Sequence, residues 1–560
     1  MNRSLCIGLL LAVVALIYVN TFANEFTLDD NFYISLNPQV TNVSVRALFT
    51  PNKINNVYRP LTFATFALNW RLGGAQPFGF HFVNLALHAG VTVLLFMLFE
   101  LLLQGTTAPT EVALVAALLF AVHPLHTEAV TSIAGRPELL AAGFLLAAWI
   151  LHLKDQQIPA LVCFSMALLS KESAVVFLPL VLVGDYARGK WKTNGRYALL
   201  AGVTALYLGL LWKVQGERFG QPTISWLDNP LASLATRWRI LNALRVAWKY
   251  AALHVYPARL SCDYSFNAIP LYMDWRHTLL PLIASLVVIA VWIWAVRKRN
   301  TGCILAGGIY LVAFAATTNI LMPTGTIMGE RLAYLPSAGF CLLAALAWHW
   351  LRGRQRIAAL AALTTVVAAL GMRTMVRNRD WRDDLSLFSS AVKAVPGSAK
   401  MHSNLGVQYM NDGRLDEAGP EFEAALRIDS QYPDAISVYG LLLARTGNYD
   451  GAQAMMDRAL KMSDRSNPNY DYMAVNFATV LMQTNHLQGA LDVLNREISE
   501  SPNYARAWAN RAVIHYKEGQ NAPARSDAEA ALRLDPANKQ AQNLLHVLAT
   551  PAQSSSAPHR

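Results

Sequence analysis

The sequence predicts an all-α protein in two parts: many membrane-crossing helices, then an array of short helix pairs. Three observations carry that prediction. Of 560 residues, 54% are hydrophobic and only 15% charged, against roughly 25% charged in an average soluble protein. Apolar segments of spanning or near-spanning length recur up to residue 375 and then stop. Beyond residue 398, small residues return at a spacing close to 34.

Candidate spans begin near residues 5, 82, 111, 138, 158, 173, 197, 277, 303, 332 and 356, eleven in all. Some, such as 111–123 and 158–170, are short for a hydrocarbon layer about 30 Å thick, so tilt or merging is expected. Orientation follows from the basic residues. Arg3, the group Arg188, Lys190, Lys192 and Arg196, the triplet Arg297, Lys298 and Arg299, and then Arg352, Arg354 and Arg356 all fall on one side if the N-terminus is inside. An odd number of crossings then puts everything after residue 376 outside. Residues 231–256 are apolar but hold Arg237, Arg239, Arg245, Lys249 and His254, and read as an interfacial or re-entrant helix on the outer side. If that stretch spans, the later basic loops end up outside. The first segment also fits a cleaved signal peptide, but a multispan body needs none.

The charge balance excludes a nucleic-acid groove. Residues 1–397 carry 32 Lys and Arg against 18 Asp and Glu, whereas residues 398–560 carry 15 against 18. The basic excess therefore belongs to the apolar part, as topology signals do. Five Cys, four of them in apolar runs, make neither a disulfide framework nor a Cys-rich metal site.

In the tail, Gly406, Gly440, Ala478 and Ala512 are spaced 34, 38 and 34 apart. Ala418, Ala452, Ala490 and Ala524 repeat that spacing twelve residues further on. Small residues at such intervals, where two helices cross, are the tetratricopeptide (TPR) pattern. The four extra residues fall at Ser463–Tyr470. Residues 539–549 read as a closing helix and 551–560 as a disordered end. The resulting domain reading is 1–376 membrane domain, 377–397 linker, 398–550 four repeats with closing helix, and then the tail. Such arrays form concave surfaces for proteins or peptides, or act as spacers.

Ionisable residues near spans are costly and point to function. Here they gather at the outer ends. Asp29 and Asp30 follow the first span, and one of an adjacent acidic pair can serve as a general base. Next come Arg59 and then His81, Asn84 and His88, which share one helix face at i, i+3 and i+7 and could line a polar cavity. His123, His126 and Glu128, followed by Arg136 and Glu138, form the densest cluster. They could hold a metal ion or, equally, a phosphate oriented by the carboxylates. Lys171 and Glu172 are a structural pair or a phosphate contact, and Glu330 and Arg331 open the tenth span from outside. There is no Walker loop, no GxGxxG after a strand and no nucleophile elbow, so ATP-driven transport and hydride transfer lack motif support.

The ordered series Asp29-Asp30, Arg59-Pro60-Leu61, His81…Asn84…His88, His123-Pro124…His126-Thr127-Glu128-Ala129, Gly135-Arg136-Pro137-Glu138, Ser170-Lys171-Glu172 and Glu330-Arg331…Tyr334-Leu335-Pro336, with the repeats behind it, resembles the transmembrane-and-TPR O-mannosyltransferases (the TMTC group) and their bacterial relatives, within the GT-C glycosyltransferase superfamily. The resemblance implies a GT-C-like membrane domain and an inverting transfer of a sugar, mannose first, from a polyprenyl-phosphate donor to Ser or Thr of a protein. Asp29 or Asp30 would be the base, with Asp29 slightly favoured by analogy. Arg136, Lys171 and Arg331 would meet the leaving phosphate, with His123 and His126 as donors. Arg59, His81, His88, Glu128, Glu138, Glu172 and Glu330 would orient the cavity. No metal ligand set is assigned, although a divalent ion is used elsewhere in the superfamily. Compact loops imply a bacterial inner membrane with the repeats in the periplasm, recruiting a protein acceptor. The other readings are transfer to a lipid or polysaccharide, a non-catalytic TPR scaffold, and a secondary transporter.

Overall fold

The computed structural model describes residues 2–42, 44–50, 57–191, 195–216, 224–465 and 467–549. Lys192 and the tail 551–560 lie outside the described residues. Every described regular element is helical. The chain divides into two units, Met1–Ser398 and Ala399–Arg560.

In the first unit a helix stands at each of the eleven predicted segments. Length and composition alone license fewer of them as membrane spans. Six described helices are long and apolar enough: Arg3–Ala23, Pro77–Leu102, Ile133–Leu153, Gly195–Gln215, Trp275–Arg297 and Arg356–Asp380. A seventh arises if the pair Pro109–Val122 and Pro124–Val130, bent by 55°, is one broken span. Gln157–Ser170 and Thr301–Ala315 are apolar but short. The physical reason lies in the polar motifs, which interrupt the helices. His123-Pro124 breaks the first pair, and Ser170-Lys171 ends the helix before Glu172–Val176 starts a 3₁₀ turn.

Local signals set the helix starts. Asn2, Asp274 and Asn300 each cap a helix by accepting a backbone N–H, from Ser4, His277 and Cys303 at 2.9, 3.1 and 3.0 Å. Pro60, Pro77 and Pro109 occupy first turns, where no N–H is needed. Many large apolar side chains on Trp275–Arg297, among them Leu280, Val291 and Trp294, are exposed. A broad apolar surface of this kind suits lipid rather than water. The unit's core runs from Leu10 and Tyr18 through Phe96, Phe99 and Phe120 to Trp149, Phe177 and Leu342.

Two polar ends result. At one, Arg3 pairs with Glu100 at 3.2 Å, Arg352 with Glu111 at 2.6 Å, and Arg196 with Asp155. The other end holds the acidic and histidine motifs described below. Thr236–Val255, the helix expected at the interface, lies at this second end. Its Leu241, Ala243, Val246 and Tyr250 are buried, and the Tyr250 hydroxyl accepts from Gly329 N at 2.9 Å.

The second unit is four helix pairs, Ala399–Asn411 with Leu415–Ile428, Pro433–Arg445 with Tyr449–Met462, Tyr470–Gln483 with Leu487–Glu500, and Ala505–Lys517 with Asn521–Leu534, closed by Lys539–Ala549. The small-residue columns are where paired helices touch. Ala418, Ala452, Ala490 and Ala524 are all fully buried. A Cβ on Gly406 would lie 2.7 Å from the Phe422 ring. Gly406→Ala is therefore expected to destabilise the first pair by about 1–3 kcal/mol. Limited proteolysis should detect this as earlier cleavage within 399–428 than in wild type.

Candidate functional site

The acidic pair splits by environment. Leu28 adopts φ +49°, a left-handed conformation rare for a branched residue, and its N–H donates to Asp384 Oδ1 at 2.8 Å. Asp30 turns inward and is fully buried. Its Oδ2 accepts from Thr27 N at 3.1 Å, and its Oδ1 accepts from Ala134 N at 2.7 Å and Ser132 Oγ at 3.4 Å. Asp30 thereby staples the first outer loop to the Ile133–Gly135 turn. That turn needs its glycine, because a Cβ at 135 would sit 2.4 Å from Ala129 O. Asp29, held between two anchored neighbours, keeps 38% of its side chain exposed.

Arg331 faces Asp29, with Nη1 at 3.4 Å from Oδ2. The same nitrogen lies 3.0 Å from Glu128 Oε1, and Arg331 N donates to Glu128 Oε2 at 2.9 Å. Glu128 is 2% exposed and Arg331 32%. A buried carboxylate thus fixes an arginine whose outer edge is open, beside an open aspartate. Nearby, Arg59 makes a fork to Glu172 at 3.0 and 2.6 Å, and Lys171 pairs with Glu138. Tyr33, whose pKa burial raises, lies within electrostatic reach of Arg59, Asp29, Arg331 and Glu172. Burial holds the Lys171 ammonium well below its ordinary pKa.

The structure therefore brings together Asp29, Arg59, Glu128, Glu138, Lys171, Glu172 and Arg331. It places the other candidates elsewhere. Arg136 is fully buried. Its guanidinium donates to Asn84 Oδ1 at 2.8 Å, Asn69 Oδ1 at 2.6 Å, Phe80 O at 3.0 Å and Thr65 Oγ1 at 3.4 Å, and stacks on Phe66. Fully buried, with hydrogen bonds from all three guanidinium nitrogens to the fold, it does not face the open Asp29–Arg331 pair. The histidines also turn into the core. His81 bonds to Asn24 O at 3.2 Å, His88 to the Tyr334 hydroxyl at 2.8 Å, His123 to His254 O at 3.0 Å and His126 to Ser337 Oγ at 2.6 Å. Phe120 packs against His88 and His126. Glu330 is fully buried, accepting from Tyr264 OH and Ser261 N, each at 2.7 Å, and lies 3.7 Å from Arg377. Neighbours in sequence thus point opposite ways, Glu330 inward and Arg331 outward, as Asp30 and Asp29 do.

Among the described residues, no three His, Cys, Asp or Glu side chains converge as a metal set. His123 bonds to His254 O, His126 to Ser337 Oγ and Glu128 to Arg331, so these three do not form a metal set.

Sequence reasoning missed Tyr33, Asn378 and Asp384. Asp384 lies beside Asp383, whose side chain caps Asp384–Ala394, and the pair reads in sequence only as a helix start. Asn378 carried no signal at all.

Described elements that are all helical, apolar helices of spanning length and a TPR array define a polytopic membrane protein with a repeat domain. Comparison with known proteins finds the chain similar to the TMTC protein O-mannosyl-transferases. Residues 218–293 match the family described as Protein O-mannosyl-transferase TMTC, DUF1736, and residues 409–473, 373–433 and 475–539 match tetratricopeptide repeat families. A protein O-mannosyl-transferase of Caenorhabditis elegans is 30% identical over 77% of this chain and 63% of its own length. Protein O-mannosyl-transferase TMTC3 of Mus musculus is 27% identical over 94% of this chain and 64% of its own length. The chain thus spans less than two thirds of the length of these relatives. Among solved structures, Pseudomonas aeruginosa pilF is 23% identical and covers 29% of this chain and 72% of its own, with a TM-score of 0.27.

Proposed function

We propose that this protein is a membrane glycosyltransferase of GT-C type that moves mannose from a polyprenyl-phosphate donor to Ser or Thr hydroxyls of a protein acceptor. The observation that carries the reading is the open Asp29–Arg331 pair braced by buried Glu128. The relatives' printed names supply the sugar and the acceptor class. Asp29 takes the proton of the acceptor hydroxyl. The hydroxyl oxygen attacks the anomeric carbon from the face opposite the lipid phosphate. The C–O bond to phosphate breaks with its electron pair on the phosphate oxygen, and configuration inverts. Arg331 meets the charge that develops on that phosphate, where a positioned cation contributes most. Arg59, forked to Glu172, shapes the cationic margin, and Lys171 is paired with Glu138 beside it. In this reading Arg136, His123, His126, His81, His88 and Glu330 support the site from within the fold.

Residues 1–376 form the transferase domain, and the repeats from 398 recruit the acceptor. The basic end lies in the cytoplasm of a bacterial inner membrane, with the Asp29 end and the repeats in the periplasm. The test uses purified full-length protein, radiolabelled polyprenyl-phosphate-mannose and a periplasmic protein extract. Label is expected in protein. Label appearing only in lipid or polysaccharide would overturn the protein acceptor, and absence of transfer by folded protein would overturn this donor.

A further inference from the structure

The segment that leaves the last long helix runs alongside the acidic loop. Asn24 Nδ2 donates to Asn378 O at 3.0 Å, Glu25 N to Arg382 O at 2.8 Å and Leu28 N to Asp384 Oδ1 at 2.8 Å. These three hydrogen bonds pair residues 24–28 with 378–384. Asn378, fully buried, is spent on both flanks of the site. Its Nδ2 donates to Ile17 O at 3.0 Å and Asn20 Oδ1 at 2.9 Å, and its Oδ1 accepts from Thr131 Oγ1 at 2.9 Å. Thr131 directly follows the short Thr127–Val130 helix that carries Glu128. The same segment reaches Glu330, the neighbour of Arg331, through Arg377 at 3.7 Å. One strap, residues 377–384, therefore touches the loop of Asp29, the helix of Glu128 and the turn of Arg331.

Leu28 is the informative point. A left-handed leucine is strained and persists only where its surroundings impose it. The Asp384 carboxylate is what grips its N–H, and Asp30 anchors the other side of Asp29. With Asp384 removed, Leu28 is free to relax toward negative φ, and the backbone that aims Asp29 turns with it.

We infer that Asp384 is a positioning residue, which acts through the backbone of Leu28 to hold the Asp29 carboxylate against Arg331. The inference rests on the transferase reading of Asp29 for its kinetic consequence, but not for its structural one. Its energetic basis is preorganisation: a displacement near 1 Å at a reacting group can cost about 10²-fold in rate.

The experiment compares full-length wild type, Asp384→Ala and Asp384→Asn in detergent. Asn keeps an acceptor oxygen for Leu28 N, and Ala does not. In Asp384→Ala, kcat for mannosyl transfer is expected to fall roughly 10–100-fold, with the KM for donor and the thermal midpoint close to wild type. Asp384→Asn is expected to restore most of the rate. Undiminished kcat in Asp384→Ala would overturn the inference. So would a loss of rate that tracks loss of stability and is not rescued by Asn. Amide hydrogen exchange of the peptide covering 24–31 is the second arm and needs no substrate. Faster exchange there in Asp384→Ala than in Asp384→Asn is expected, and equal exchange would overturn the proposal. If wild type moves no label from the mannose donor, the transferase reading fails while the exchange arm still decides this one.

Discussion

Asp29→Asn is expected to lower mannosyl transfer by about 10²–10⁴-fold, the range for removal of a positioned general base, with yield and thermal midpoint near wild type. The reason is its exposure and its light tethering: one contact at 3.4 Å to Arg331, and no hydrogen bond that holds the fold together. Asp30→Asn should behave in the opposite way. Asp30 bonds Thr27, Ala134 and Ser132, and an amide nitrogen in place of one oxygen leaves an inward donor facing a donor. Stability should fall first, and activity only with it. Burial also lifts the Asp30 carboxyl from 3.8 to about 7. A raised acid contributes most when protonated, so its contribution is complete below about pH 4 and is lost as pH rises through about 7. The stability gap between wild type and Asp30→Asn should therefore narrow over that window. Thermal unfolding in detergent across it is the measurement, beside transfer kinetics at fixed pH.

Arg331→Ala is expected to cost about 10²–10³-fold in kcat, the size seen when one transition-state charge partner is lost. It also strands Glu128, a carboxylate 2% exposed whose side-chain contacts are with Arg331, so some loss of stability should accompany it. Arg331→Lys separates the two effects. A lysine keeps a point charge near Glu128 and Asp29, both met by Nη1 in the wild type, but lacks the planar guanidinium that meets an anion through two parallel N–H donors. Stability should return toward wild type while much of the kinetic defect remains. Equal rates for wild type and Arg331→Lys would show that a point charge suffices there.

Several features were legible in the sequence because they rest on periodicity or on repulsion from lipid. The repeat columns at Gly406, Gly440, Ala478 and Ala512 were readable because helix pairs that touch closely admit only small residues, and the touch recurs with each unit. The helices were readable because a backbone in lipid must satisfy its own hydrogen bonds, so long apolar runs become helices. That ionisable residues would gather at one end followed from the cost of placing them anywhere else.

Direction was not legible. Nothing in the string Asp29-Asp30 says which carboxylate looks outward. The structure decides it through Leu28's left-handed backbone and the N–H of Ala134, a partner more than a hundred residues away. His81, Asn84 and His88 at i, i+3 and i+7 read as one helix face, but nothing in the spacing said that all three would be buried and that His88 would pack against Phe120 and Tyr334. Arg136 looked like a phosphate ligand because its type and place allowed it. It became a buried brace because Asn69 and Asn84, on other helices, absorbed its donors. Sequence by itself determined the helical class, the repeat array and the set of polar residues at one end, since those follow from local period and solvation. Only tertiary structure decided which of those residues remain open to a substrate. Orientation depends on hydrogen-bond partners brought in from distant helices, and no local pattern records them.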